Sequence, residues 1–176
     1  MYNLEWLLSK KEGVGYLFFW GHQKSEKITV SCFSQWWEAS FVVEGVEYLT
    51  AEHWMMAQKA LLFKDEESFQ KIIESKTAKE AKSLGRKVKN FDDETWKSKC
   101  FEIVVQGNFH KFSQHEELKY FLLNTNNQVI VEASPVDKIW GIGLKKENPK
   151  CLNPRTWNGE NLLGFALMEV RDLLKK

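Results

Sequence analysis

A glutamate and a lysine stand seven residues apart in Thr50-Ala51-Glu52-His53-Trp54-Met55-Met56-Ala57-Gln58-Lys59-Ala60-Leu61-Leu62-Phe63. Apolar residues fall on almost every side of this stretch when it is wound as a helix, which predicts a largely buried element. Glu52 and Lys59 are about two turns apart with Met56 between them, so they share a face with Cα atoms roughly 10 Å apart. That separation is too long for a ready salt bridge and suits two groups that grip opposite ends of a small ligand. A lysine in apolar surroundings has its pKa lowered by desolvation, which frees a neutral amine able to attack a carbonyl-like carbon. A carboxylate in the first turn is held ionised by the helix dipole, ready to accept a proton or stabilise positive charge. The alternative is that this face simply reaches solvent and both residues are ordinary.

A second group lies in Val131-Glu132-Ala133-Ser134-Pro135-Val136-Asp137-Lys138-Ile139-Trp140-Gly141-Ile142-Gly143. Glu132 and Asp137 sit at a predicted strand end and in the loop after it, where functional side chains commonly project. Gly141 and Gly143 permit close backbone approach to a ligand, and Trp140 offers a stacking face. The spacing is not GxGxxG, and carboxylates in loops also serve as turn caps. Arg86, after a predicted helix stop, has a guanidinium that can fork onto a phosphate, or it is an exposed helix-end residue. Eight Trp, 12 Phe and 4 Tyr make 14% of the chain aromatic. Such rings fill cores and also stack on nucleobases, and Trp36, Trp37, Trp140 and Trp157 are the candidates for the second use. His22, His53, His110 and His115 show no metal-ligand pattern, and Ser34 lacks a GxSxG context.

These residues need elements to hold them. Alternation predicts strands at 15–20 and 27–33, and a hairpin of 41–43 with 46–49 turning on Glu44-Gly45. Thr50 is the expected N-cap of a helix over 51–63, and Asp65 of one reaching Glu74. Thr77-Ala78-Lys79-Glu80 reads as a capping box with Gly85 as the stop. Asp92 or Asp93 opens a longer helix toward Lys111. Ser113-Gln114-His115-Glu116 reads as a second box leading to Leu123. A strand at 128–132, a Gly-punctuated loop over 140–143 and an amphipathic helix over 161–174 complete the pattern. Few short strands and five or six helices make a helix-rich α+β single domain over 1–176, with a small antiparallel or mixed sheet.

Composition narrows the class. At 176 residues the chain has the size of one domain. The balance of 25 Lys+Arg against 24 Asp+Glu gives a net charge of +1 and argues against binding driven by a phosphate backbone. The longest apolar run, Leu162 to Met168, falls far short of the roughly 20 residues of a membrane helix. The first residues lack the order of a secretory signal, and Cys32, Cys100 and Cys151 are unpaired in spacing. The expectation is a cytoplasmic protein with neither a disulfide framework nor a metal site.

Five blocks, in order, resemble the NADAR superfamily and within it the YbiA-like branch. They are Cys32-Phe33-Ser34-Gln35-Trp36-Trp37; Tyr48 through Ala60; Ala81-Lys82-Ser83-Leu84-Gly85-Arg86; Val131-Glu132-Ala133-Ser134 with Asp137 through Leu144; and Trp157-Asn158-Gly159-Glu160-Asn161-Leu162-Leu163-Gly164 with Leu167-Met168-Glu169-Val170-Arg171. The likeness runs from about residue 17 to 174. It implies a helix-rich α+β domain that cleaves N-glycosidic bonds; such hydrolysis needs only water and the sequence shows no ligand cluster, so no metal or cofactor is expected. YbiA-like members hydrolyse phosphoribosylamino-pyrimidine intermediates of riboflavin synthesis, and relatives remove ADP-ribose from guanine. By resemblance the active-site helix falls on Glu52 and Lys59, and the acidic loop on Glu132, Asp137 and Trp140.

The implied reaction builds positive charge on the sugar, which a carboxylate stabilises while a proton reaches the departing nitrogen. Two roles for Lys59 stay open: attack on the opened sugar to form a Schiff base, or a charged grip on phosphate or hydroxyls while Glu52 or Glu132 activates water. Substrate contacts are expected from Trp36, Trp37, Arg86, Trp140, Gly141, Gly143 and Trp157. The expected partner is a small phosphoribosyl or ADP-ribosyl substrate, with no membrane, and with nucleic acid only as ADP-ribosylated guanine. The rival from another class is a non-catalytic module binding ADP-ribose or NAD.

Overall fold

The computed structural model describes residues 1–10, 13–23 and 27–176. The described elements are α1 (Leu4–Leu8), β1 (Tyr16–Phe19), β2 (Phe41–Val43), β3 (Val46–Tyr48), α2 (Ala51–Leu62), α3 (Glu66–Glu74), α4 (Ala78–Gly85), α5 (Asp93–Ser113), α6 (Glu116–Leu123), β4 (Val129–Glu132) and α7 (Leu162–Leu173). Short 3-10 turns cover Val30–Phe33, Pro149–Leu152 and Pro154–Thr156. The class is the expected helix-rich α+β, with two two-stranded sheets among the described residues. The chain divides into two compact units, Gln35–Glu116 and Met1–Ser34 with Glu117–Lys176.

In the contiguous unit, β2 and β3 form an antiparallel hairpin with Phe41 opposite Tyr48. Its two turn residues, Glu44 at φ 50° and Gly45 at φ 82°, both take the positive φ that matches strand twist in a two-residue turn. Thr50 then caps α2: its hydroxyl accepts the His53 N–H and lies 2.8 Å from His53 Nδ1. Residues 51–57 of α2 are all buried, as its all-round apolar pattern requires. Asp65 caps α3 and also accepts the Lys89 N–H at 2.8 Å. These bonds stabilise the ionised form and hold its carboxyl down at about 2.

Three local expectations fail for physical reasons. Residues 27–33 form no strand: Thr29 turns its side chain onto the Ser31 N–H and starts the 3-10 turn, which buries Cys32 and Phe33 together. A hydroxyl that bonds two residues ahead offers the backbone an alternative to a strand ladder. α4 does end at Gly85, where the stop is expected, but not by the expected means: the glycine has no positive φ, and a side chain there would run into Met56, so it serves helix–helix contact. Ser113 does not cap α6. It ends α5, with its hydroxyl donating to His110 O, while Gln114 and His115 bond to Val42 and Ser40. The box at Thr77 forms with one change: Glu80 accepts from the Lys76 N–H, one residue before the cap.

In the other unit, β1 and β4 run parallel, with Tyr16 beside Val129 and Phe19 beside Glu132. Val129, Ile130 and Val131 are fully buried, as are Phe165, Ala166 and Leu167 of α7. Gly164 lets α7 approach the Ile130 carbonyl more closely than any side chain permits. Helix α1, capped by Asn3, is five residues long and too short to give a periodic signal.

Candidate active site

Glu52 occupies the first turn of α2 and is 4% exposed. Its main-chain N–H donates to Gln35 O at 3.0 Å, and Gln35 in turn accepts from the buried Asn108 amide at 2.7 Å. Those bonds seat the start of the helix. Lys59 lies in the last turn and is half-buried. Its Nζ stands 4.1 Å from the centre of the Phe91 ring and 5.5 Å from that of Trp96. Phe91 lies between α4 and α5, Trp96 in the first turn of α5, and Phe63 packs edge-on against Phe91 at 5.2 Å. Burial pushes the Lys59 amine below the ordinary lysine range, while the two ring faces attract its cationic form. Between Glu52 and Lys59, Met56 is buried against Gly85. Their common face is therefore interrupted by packing.

The other candidates of this unit are spread along it. Trp36 has the Lys82 ammonium 5.7 Å from its ring centre, and Trp37 is half-buried. Arg86 is exposed at the C-cap of α4, and its N–H closes the helix on Lys82 O. His53 is a helix-start residue, bonded to Thr50 and 3.2 Å from Ser75 O, and burial lowers its pKa.

In the second unit Glu132, by its backbone, and Asp137, by its carboxylate, sit in a net of hydrogen bonds. Glu132 ends β4; its N–H donates to Asn161 Oδ1 and its carbonyl accepts from the Ile142 N–H, both at 2.9 Å. Asp137 Oδ1 accepts from the N–H groups of Ile139 (2.9 Å) and Trp140 (2.7 Å). Ser134 Oγ accepts the Asp137 N–H at 3.1 Å. One oxygen of Asp137 thus shapes the loop, which orients Trp140. The loop then caps α7, whose N-cap Asn161 makes no side-chain bond to the helix: Ile139, Trp140 and Gly141 carbonyls take the N–H groups of Leu162, Leu163 and Asn161. Gly141 is buried, and a Cβ there would come within 2.9 Å of Glu132 O. Gly143, at φ +65°, abuts Asn158. The close approach these glycines permit in this structure is to the chain itself. Trp157 is anchored by its indole N–H to Cys151 O and meets Tyr16 edge-on.

The residues that shape these groups and that sequence patterns passed over are Phe91, Trp96 and Asn161. Trp96 was visible only as a helical apolar position, and nothing local couples Phe91 to Lys59 or Asn161 to Glu132. Among the described residues, no cluster of His, Cys, Asp and Glu is arranged to hold a metal ion. No described helix is long and apolar enough to cross a membrane.

Comparison with known proteins gives the arrangement its relatives. The NADAR domain pattern matches residues 18–175. N-glycosidase R617 of Acanthamoeba polyphaga mimivirus is 46% identical over 162 residues, covering 89% of this chain and 95% of that protein. N-glycosidase YbiA of Escherichia coli K12 is 31% identical over 132 residues, covering 75% and 74%. The NMR structure of E. coli YbiA superposes with a TM-score of 0.71 at 26% identity, over 93% of this chain and 88% of that one. The chain belongs to the NADAR family and is, like these relatives, a glycosidase acting on N-glycosyl compounds.

Proposed function

We propose that the enzyme hydrolyses phosphoribosylamino-pyrimidines, the reactive early intermediates of riboflavin synthesis, releasing the pyrimidine amine and ribose 5-phosphate. Lys59, Glu52, Glu132 and Asp137 are the proposed catalytic residues. Trp36, Trp37, Arg86, Trp140, Gly141, Gly143 and Trp157 are the proposed substrate contacts. The observation that carries the reading is the Lys59 amine, half-buried against two aromatic rings and pushed toward its neutral form by burial.

A neutral amine suits a glycosylamine substrate. Such a sugar opens to an imine at C1, and Lys59 Nζ adds there to give an aminal. Proton transfer to the pyrimidine nitrogen lets that amine leave, and the C1–Nζ bond becomes a protonated Schiff base. Water then adds to C1 and regenerates Lys59 with free ribose 5-phosphate, so the net reaction consumes one water. The carboxylates move the protons at the departing nitrogen and the incoming water. The same reading places the enzyme in the cytoplasm, where the buried thiols of Cys32, Cys100 and Cys151 stay reduced.

The test is mass spectrometry of the enzyme incubated in parallel with a phosphoribosylamino-pyrimidine and with ADP-ribosyl-guanosine. Faster base release from the first is expected, and borohydride during turnover should add a sugar-phosphate mass at Lys59. Base released only from the second substrate would move the reading to ADP-ribosyl-guanine hydrolysis. ADP-ribose binding with no base release from either would make the protein a binding module.

A further inference from the structure

Asn161 is constrained in burial, backbone and side chain at once. It is fully buried and sits at φ 57°, ψ 34°, a left-handed conformation that asparagine tolerates better than most residues. Because loop carbonyls already cap α7, its side chain is released from the capping role and reaches β4. There Oδ1 accepts the Glu132 N–H at 2.9 Å and Nδ2 donates to the Ile130 carbonyl at 3.0 Å. In a strand, the carbonyl of one residue and the N–H two residues on point to the same edge. One planar amide that satisfies both stands where the N–H and C=O of one residue of a neighbouring parallel strand would. The opposite edge of β4 is taken by β1, as the bonds from Val129 N–H to Gly15 O and from Ala133 N–H to Phe19 O record. The peptide plane before Glu132 is therefore pinned by Asn161, and the plane after it by the Ile142 N–H on Glu132 O.

We infer that Asn161 is a positioning residue for catalysis: its amide acts as a surrogate strand that fixes the backbone on which the Glu132 carboxylate is mounted. A carboxylate at the last residue of a strand otherwise inherits the fraying of the strand end. Locking both flanking peptides removes that freedom before substrate arrives, which is how a small displacement far from the reacting atoms comes to control rate. The inference rests on the reading of Glu132 as a catalytic residue.

The experiment compares full-length Asn161→Gly, Asn161→Asp, Glu132→Gln, the double variant Asn161→Gly with Glu132→Gln, and Val170→Ala, using a phosphoribosylamino-pyrimidine as probe. Glycine keeps the left-handed backbone and deletes the amide. Aspartate keeps the acceptor for the Glu132 N–H and loses only the donor to the Ile130 carbonyl, so it tests the Glu132 bond by itself. Val170→Ala removes buried volume further along α7 and serves as a control that lowers Tm without touching Asn161 or Glu132. Asn161→Gly is expected to lower kcat about tenfold or more with KM held within about threefold, and Asn161→Asp to recover part of that loss. Val170→Ala should keep kcat despite its lower Tm, and the double variant should be no slower than Glu132→Gln alone, since coupled residues are not additive. Wild-type kcat in Asn161→Gly, kcat that merely follows Tm, or losses that multiply in the double variant would each overturn the inference. Full activity in Glu132→Gln would instead remove the reading of Glu132, and the inference with it.

Discussion

The two candidate regions hold their ionisable groups by different physics. On α2, Glu52 and Lys59 come from one helix, and what distinguishes Lys59 is its surroundings: withdrawal from water and two aromatic faces. At the end of β4, Glu132 and Asp137 are held by oriented main-chain bonds drawn from three stretches of chain. Environment sets protonation, whereas a hydrogen-bonded net sets direction. Damage to the surroundings of Lys59 should therefore show in pH dependence, and damage to the net around Glu132 in turnover.

The sharpest way to break this contrast is Lys59→Ala. Loss of a group acting on the reacting atoms should cut base release by about 10²-fold or more. Thermal stability should hold or rise, since a partly buried cation is removed; near-normal turnover would leave α2 with no special chemistry. Next comes Gly164→Ala, where a methyl group has to displace the Ile130 carbonyl or the Asn161 amide. Overpacking of this kind costs about 1–3 kcal/mol, read as a lower denaturation midpoint. A wild-type midpoint would mean that α7 does not bear tightly on β4.

A finer test is Phe91→Ala. The Lys59 amine lies below its ordinary value of 10.5 because burial disfavours the charged form. Activity that needs the neutral amine thus rises with pH along an acid limb set by that lowered pKa. Removing the exposed Phe91 ring admits water, so the limb should move up in pH. A downward move would show that attraction to the ring face outweighs desolvation. The same depression means the penalty this group places on folding is full below its folded pKa and fades as pH climbs toward 10.5. The smallest effect expected is that of Thr50→Ala, which deletes the cap of α2 and should cost about 1 kcal/mol in denaturant unfolding.

Legibility in the sequence followed the range of the interaction. The helix over 51–62 and its cap were readable because spacing and capping act within one or two turns. The hairpin at Glu44-Gly45 was readable for the same reason. The alternation at 27–33 misled, because a threonine hydroxyl bonding two residues ahead competes with strand formation. Gly85 carries the same letter for a stop and for close packing, and only Met56, far along the chain, decides between them. Glu132 was picked out by its place at a strand end, yet the amide that seats it comes from residue 161, and no periodic pattern links the two. The rings beside Lys59 were unreadable on the same grounds, since Phe91 lies in a connection between helices.

The pairing of β1 with β4 bears on how the protein is made. Tyr16 leaves the ribosome 113 residues ahead of its partner Val129, a wait of roughly 6–23 s at ordinary rates of synthesis. Residues 35–116 form a contiguous unit and can consolidate during that interval. The strand over Tyr16–Phe19, with Leu17, Phe18 and Phe19, stays without its edge until Val129–Glu132 has emerged. Nascent chains stalled before β4 has emerged should therefore be far more dependent on chaperones than chains stalled after it.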